Sequence, residues 1–432
     1  MPAEADILSN KIIHLRLSAK EICYEGSMLI FVVALAVRLL AFWFLPEPHL
    51  PYNAVYAYLS GAKLLLEGEG FLDASFPVYT PPLYSLSIAL AASLFGGDGI
   101  VGIKVIQIVL DSLTAVIIYV LVRNLFDRVA GYVSAMIWAL YPFAIYPTLY
   151  IGTETLFTFF VALWALLTTR ALKESRWEFY CGSGAVLALA TLTRGTTQFL
   201  PLLLPFVVLA IRGSASRWFR ECVIMLSCFI VVILPWGLRN YLVLNEIIPV
   251  GINNTIVLWG SSESLWTIDT RTTEYPLLVE AATQKGIIST SKDMGIVERD
   301  RNNVKLAMEN YRNRLMEDPS SIVPFMAKKF LRLWYSTESG NNHGISLFIN
   351  GLIYLPACIG IVAGWRRNKG AALALCGLIG YFALIHWVTL PLFRYMIPVM
   401  PYVIVFSAIG LLFVLECSCP RIYRRLQSFG TL

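Results

Sequence analysis

Polar and apolar residues do not alternate finely along this chain. They segregate into long apolar runs, separated by short basic clusters and by two longer polar excursions. The first run is Met28–Leu45. Others lie near Gly99–Val122, Val129–Tyr146, Glu154–Leu172, Phe179–Leu192, Phe199–Ile211, Cys222–Trp236, Gly344–Gly364, Gly370–Trp387 and Met396–Leu415. A helix needs roughly 17–25 mostly apolar residues to cross a bilayer, and only helices or closed barrels satisfy their backbone there. The pattern therefore predicts an all-α membrane protein with about ten transmembrane helices. The fifth and sixth runs are the shortest for that purpose.

The first excursion, Pro46–Gly96, mixes aromatic residues with Glu47, Glu67, Glu69 and Asp73 and carries the stiff pair Pro81-Pro82. It is too polar to span and too apolar to leave the bilayer. It reads as a surface loop with interfacial helices, Pro81–Phe95 partly embedded, roofing a site. The second excursion, 239–343, is nearly charge-balanced. Val297–Leu315 reads as a solvated helix, Asp318-Pro319 as a helix start, and Ile322–Tyr335 as an aromatic interfacial helix with a basic face. This excursion forms a small outer-side domain before the eighth span. The chain thus divides into a segment 1–27, a transmembrane core 28–238 with the loop 46–96, the small domain 239–343, helices 344–416 and a tail 417–432.

Composition agrees with lipid as the main solvent. Of 432 residues, 57% are hydrophobic and 14% charged, against about 25% charged in a soluble domain; the mean hydropathy is +0.66. The net charge of +6 comes from clusters between spans, so it does not point to nucleic acid. Arg123 and Arg128, then Arg170, Lys173 and Arg176, then Arg212, Arg217 and Arg220 occupy alternate loops. Arg366, Arg367 and Lys369 and the tail residues Arg421, Arg424 and Arg425 fall on the same side. The positive-inside rule makes that side cytoplasmic, with both termini there and both excursions outside the cell membrane. No small-residue cleavage site follows an early apolar region, so no removable signal peptide is expected. The eight cysteines all lie in spans or on the basic side, which implies no disulfide framework. Cys417 and Cys419 flank Ser418 beside a helix end, a pair open to lipidation or metal but more often inert.

Charges inside or bordering spans need a reason, because burying them in lipid is costly. Arg38 and Asp111 lie within spans. Arg38 pairs internally or snorkels, and Asp111 makes a helix–helix hydrogen bond or pairs with a residue such as Lys104. Glu154 opens a span at the outer boundary, where a helix N-terminus favours a carboxylate. Arg194, Arg239 and Arg394 lie at the outer ends of spans, where the positive-inside rule disfavours them. A lipid-phosphate site explains all three, since the planar guanidinium fork suits phosphate oxygens; membrane anchoring explains each singly. His49, His343 and His386 fall on the outer side. A divalent metal held by them with a carboxylate lacks any tight ligand spacing, so no metal and no tightly bound cofactor is expected. Asn253 opens a formal glycosylation sequon.

Several motifs carry a family resemblance over nearly the whole chain. YAYLSGAKLLLEGEGF, TPPLYSLSIALAASLFG, TETLFTFFVALWALL, LTRGTTQFLPLLL, LPWGLRNYLVLNEIIPVG, DPSSIVPFMAKKFLRLW and LFRYMIPVMPYVIVFSAIGL follow in that order. Together they resemble polytopic glycosyltransferases of the GT-C class, the group of dolichyl-phosphate-mannose-protein mannosyltransferases and lipid A aminoarabinose transferases. The resemblance implies transfer of a sugar from a polyprenyl-phosphate donor in the outer leaflet to a glycan, lipid or protein acceptor. An acid in the first loop would deprotonate the acceptor hydroxyl for inverting attack, and basic groups would hold the departing phosphate. Arg194, Arg239, Arg394, Tyr395 and Tyr56 match the donor-binding positions.

The chain departs from that pattern twice. The loop acid's place, about four residues before Tyr56, is taken by Tyr52-Asn53, and the basic residue before the Pro-Pro pair is Thr80. Asparagine is no general base, so the base falls to Glu154, which matches a second acidic position, with Asp73 and Glu69 as substitutes. Two alternatives stand beside the enzyme. One is a non-catalytic relative that binds a lipid carrier or scaffolds a complex. The other, more distant, is a transporter, which the absence of internal repeats and the clustering of polar residues at one rim rather than midway disfavour.

Overall fold

A computed structural model describes residues 26–46, 52–71, 80–203, 215–251, 258–259, 261–262, 296–337 and 342–431. Its helices are α1 (Gly26–Phe44), α2 (Tyr52–Leu66), α3 (Leu83–Phe95), α4 (Ile100–Leu125), α5 (Arg128–Leu140), α6 (Glu154–Glu174), α7 (Trp177–Thr193) and α8 (Ala215–Leu244). They continue as α9 (Ile296–Glu317), α10 (Pro319–Arg332), α11 (His343–Arg367), α12 (Lys369–Val388), α13 (Met400–Ser418) and α14 (Pro420–Thr431). No strand occurs among the described residues. The protein is an all-α, multi-pass membrane protein.

Seven segments are long and apolar enough to cross a membrane: α1, α4, α6, Phe219–Leu244 within α8, α11, α12 and Phe393–Ser418. An eighth forms if α5 is joined with Pro142–Leu149, across a bend of 64°. Among the described residues this gives seven or eight spans where the hydropathy pattern predicts about ten. The fifth run is α7, which at 17 residues sits at the lower limit of that range. The sixth opens as a 3-10 turn, Gly195–Leu202, interrupted by Pro201, and its remainder lies outside the described residues. The interfacial elements of the first loop are α2 and α3, both apolar but short. In the second excursion, α9 covers the predicted solvated helix and α10 the interfacial one.

The bend after α5 follows from its sequence. Pro142 has no N–H to give to the Trp138 carbonyl, so the helix stops. Arg38 supplies donors at the break, its Nη2 reaching the Trp138 carbonyl (3.5 Å). Its Nη1 donates to the Ala139 carbonyl (2.9 Å) and the Ala34 carbonyl (3.0 Å), and its Nε to Asp111 Oδ2 (2.5 Å). Arg38 and Asp111, both fully enclosed, thus form one buried ion pair between α1, α4 and the broken end of α5. The two mid-span charges of the sequence explain each other. Elsewhere helices meet through small residues, as expected where lipid offers no competing hydrophobic drive. A Cβ on Gly360 of α11 would overlap the Phe406 carbonyl of α13, and one on Gly410 the Pro356 carbonyl. Neither position takes a larger residue without parting the helices.

One end of the bundle gathers the basic clusters. Arg367 bridges Asp127 (3.1 Å) and Glu416 (3.4 Å), Asn368 Nδ2 donates to the Leu125 carbonyl (2.9 Å), and Lys173 donates to the Asn124 carbonyl. The opposite end carries the start of α6, the end of α7 and the entry to α13, which meet around one charged cluster.

Candidate functional site

The cluster is delivered by the loop that follows the break. After Pro142–Leu149 the chain runs buried through Tyr150, Ile151, Gly152 and Thr153 into α6. Buried backbone of this kind needs partners, and two side chains provide them. Gln107, in the middle of α4, donates through Nε2 to the Tyr150 carbonyl (2.9 Å). Tyr84 of α3 donates to Gln107 Oε1 (2.7 Å) and accepts the Gly152 N–H (2.8 Å). A glutamine inside an apolar span is costly unless satisfied; here every donor and acceptor pairing fixes the loop.

Glu154 is the first residue of α6 and its side chain is only 4% exposed. The positive N-terminal end of the helix favours the carboxylate there. Its Oε1 lies 3.4 Å from Arg194 Nη2 and 4.0 Å from Arg394 Nε. Arg194 caps the end of α7, where a cation complements the helix dipole. Arg394 comes from the 3-10 turn Phe393–Val399 that leads into α13. Both guanidiniums lie on the Tyr395 ring, 4.6 and 4.9 Å from its centroid, and Arg394 Nη2 also donates to the Tyr395 hydroxyl (3.1 Å). The His386 imidazole of α12 stacks on the same ring at 4.9 Å and 13°. Tyr58 of α2 completes the surroundings, edge-on to Tyr84 at 4.9 Å. Burial raises the Tyr58 phenol above its ordinary value, keeping it a proton donor beside Thr153, and it feels the charges of Arg194, Glu154 and Arg394.

The structure therefore brings together Glu154, Arg194, Arg394 and Tyr395 from three distant stretches. It places Arg239 differently: Nε donates to the Phe71 carbonyl (2.5 Å), Nη1 to Asn240 Oδ1 (3.1 Å), and the guanidinium covers Trp236 (4.9 Å). Arg239 thereby ties α8 to the end of the segment that follows α2, with Phe71 packed edge-on against Trp236 (5.9 Å). Tyr56 is 62% exposed on α2, and it is Tyr58, two residues on and on the opposite face of the helix, that faces the cluster. Glu69 is exposed, in a turn between two glycines of positive φ, Gly68 and Gly70. Asp73 and His49 lie outside the described residues, and Tyr52 and Asn53 occupy the first turn of α2. Thr80 is buried with its hydroxyl unpartnered. His343 packs on Tyr335. Among the described residues no group of three or more His, Cys, Asp or Glu side chains is arranged to hold a metal ion. Sequence reasoning missed Tyr58, Tyr84, Gln107 and Gly152; only Gln107 gave a signal, as an amide in an apolar span.

What the arrangement can do is bind an anion. Two guanidiniums are held by an aromatic ring and two helix ends, with one carboxylate beside them. The carboxylate offers a proton acceptor next to a seat suited to phosphate.

Residues 79–237 match the dolichyl-phosphate-mannose-protein mannosyltransferase family. A search of curated sequences gives no match. Among solved structures, the chain is similar to the Archaeoglobus fulgidus oligosaccharyltransferase. In the form tethered to an acceptor peptide the TM-score is 0.59 at 16% identity, covering 95% of this chain and 52% of that one. In the complex with an inhibitory peptide and a dolichol-phosphate it is 0.58 at 15% identity, with the same coverage. This chain thus spans about half the length of the solved structures it matches. The chain shares the membrane fold of the Archaeoglobus fulgidus oligosaccharyltransferase, and its stretch 79–237, which holds Glu154 and Arg194, is similar to the dolichyl-phosphate-mannose-protein mannosyltransferase family.

Proposed function

We propose that this protein is a membrane glycosyltransferase that moves a sugar from a polyprenyl-phosphate donor to a hydroxyl-bearing acceptor. The observation that carries this reading is the juxtaposition of the Glu154 carboxylate with the Arg194 and Arg394 guanidiniums. Arg194 and Arg394 hold the donor phosphate and stabilise the charge that grows on it as the glycosidic bond breaks. Glu154 takes the acceptor proton. The stack of His386 and Tyr395 keeps both guanidiniums in place and keeps water from their faces. The mannosyltransferase match over residues 79–237 and the fold shared with an oligosaccharyltransferase solved with dolichol-phosphate support a lipid-phosphate donor. The acceptor is a glycan, a lipid or a protein. The basic clusters at the opposite end of the bundle support a site on the extracytoplasmic face of the cell membrane, with both termini cytoplasmic.

The test is sugar transfer by protein in nanodiscs, with a panel of polyprenyl-phosphate sugars and acceptors, comparing wild type with Arg194→Gln and Arg394→Gln. Each variant is expected to lose about 100-fold or more in kcat/KM, the scale of losing one charge-stabilising group. Donor binding without turnover across the panel would instead favour a non-catalytic lipid-carrier protein.

A further inference from the structure

The Glu154 carboxylate fits its cations poorly. Its two approaches, 3.4 Å to Arg194 and 4.0 Å to Arg394, exceed the about 2.7–2.9 Å of a good charge-assisted bond. Arg194 Nη1 is buried with no hydrogen-bond partner among the described residues. The looseness has a structural cause. Each guanidinium lies over Tyr395, which His386 braces from α12. Glu154 starts its helix, with Oε2 so close to Gly152 that a Cβ there would come within 2.6 Å of it. A phosphate oxygen would give Arg194 Nη1 the acceptor it lacks among the described residues.

We infer that Glu154 is a placeholder in the anion seat: its carboxylate stands loosely where a phosphate oxygen of the lipid-linked donor binds, and the arriving phosphate displaces it from Arg194 and Arg394 and frees it to act as the base. This rests on the proposed donor class. Donor binding is then the step that arms the base, and the acceptor follows the donor. The chemistry balances. The acceptor oxygen forms a new bond to the anomeric carbon, the bond from that carbon to the phosphate oxygen breaks with its electron pair going to phosphate, and the acceptor proton goes to Glu154. The donor phosphodiester carries one negative charge and the released monoester two, while Glu154 changes from carboxylate to neutral acid. The charge that the phosphate gains is the one that Glu154 loses, so the total facing Arg194 and Arg394 does not change.

The probe is polyprenyl phosphate without sugar, bound to the full chain in nanodiscs. Removing the placeholder in Glu154→Gln, or in Glu154→Ala, is expected to tighten its binding by at least about ten-fold, equivalent to about 1.4 kcal/mol, although both variants lose turnover. Arg194→Gln should weaken it. In wild type, where folding is not in question, labelling of Glu154 by a hydrophobic carbodiimide, read by peptide mass spectrometry, should rise several-fold when polyprenyl phosphate is added. Equal or weaker binding by folded Glu154 variants, or labelling that falls or stays level, overturns the placeholder while leaving the phosphate site intact. No binding by wild type at all would overturn the donor class, and the placeholder with it.

Discussion

The Tyr84 hydroxyl accepts the Gly152 N–H at 2.8 Å, across 68 residues of sequence, and passes its own proton to Gln107 at 2.7 Å. This contact fixes the loop that positions Glu154. Tyr84→Phe leaves the Gly152 N–H and Gln107 Oε1 buried without a partner, a cost of about 1–3 kcal/mol per group. We expect a lower thermal midpoint in detergent and about a ten-fold loss of transfer. Unchanged stability and activity would mean that the loop is held by other contacts.

Gly152 makes room for the Tyr150 ring and the Glu154 carboxylate; a Cβ would overlap the first and press on the second. Gly152→Ala should therefore misplace Glu154. A displacement near 1 Å costs about 100-fold in rate, so kcat should fall by 10- to about 100-fold with little change in the midpoint of unfolding. The measurement is transfer kinetics beside a thermal melt, and a kcat equal to wild type would refute the crowding argument.

Arg38 and Asp111 are an enclosed pair that also satisfies the carbonyls left open at Pro142. Removing one partner strands a buried charge, worth about 3–5 kcal/mol. Arg38→Met and Asp111→Leu should each destabilise strongly, and the double substitution should recover part of the loss. A double-mutant cycle on the unfolding midpoint reads the coupling; additive losses would show that the pair does not act as a unit.

Lys329 of α10 is buried, donating to Ser261 Oγ (3.1 Å), the Tyr311 hydroxyl (2.8 Å) and the Val388 carbonyl (3.0 Å), and burial pushes its ammonium down to about 7. This knot docks α9 and α10 on the end of α12. Between pH 7 and the ordinary lysine value of 10.5, the unfolded chain binds the extra proton, so stability rises with pH across that window. Tyr311, raised by burial, stays neutral below pH 10. The wild-type midpoint should climb from pH 7 to 9, with a flatter profile in Lys329→Met. Parallel profiles would show that Lys329 does not titrate there.

Much of this was legible beforehand, and the limits have physical causes. Long apolar runs announce themselves, so α1, α4, α6, α11 and α12 fall where hydropathy puts them. The weak runs are the ones interrupted by Pro142 and Pro201 or at the lower limit of length, as in α7. Glu154, Arg194 and Arg394 were readable because charges at span ends are costly and therefore rare. That two of the three arginines meet Glu154 and the third meets Phe71 depends on tertiary packing, which single-position costs do not encode. Tyr58 and Tyr56 look alike in YAYLSG; only the rotation of α2 separates them. Arg38 and Asp111 each looked odd alone, and only helix adjacency pairs them.

The role proposed for Glu154, set between Arg194 and Arg394, is that of proton acceptor in a glycosyl transfer. Its most direct test is transfer by wild type and Glu154→Gln in nanodiscs, with the donor that wild type uses and with donor binding measured in parallel. The account predicts retained or tighter donor binding with turnover reduced by about 100-fold or more, the range of general acid–base contributions. Turnover equal to wild type in Glu154→Gln would contradict it.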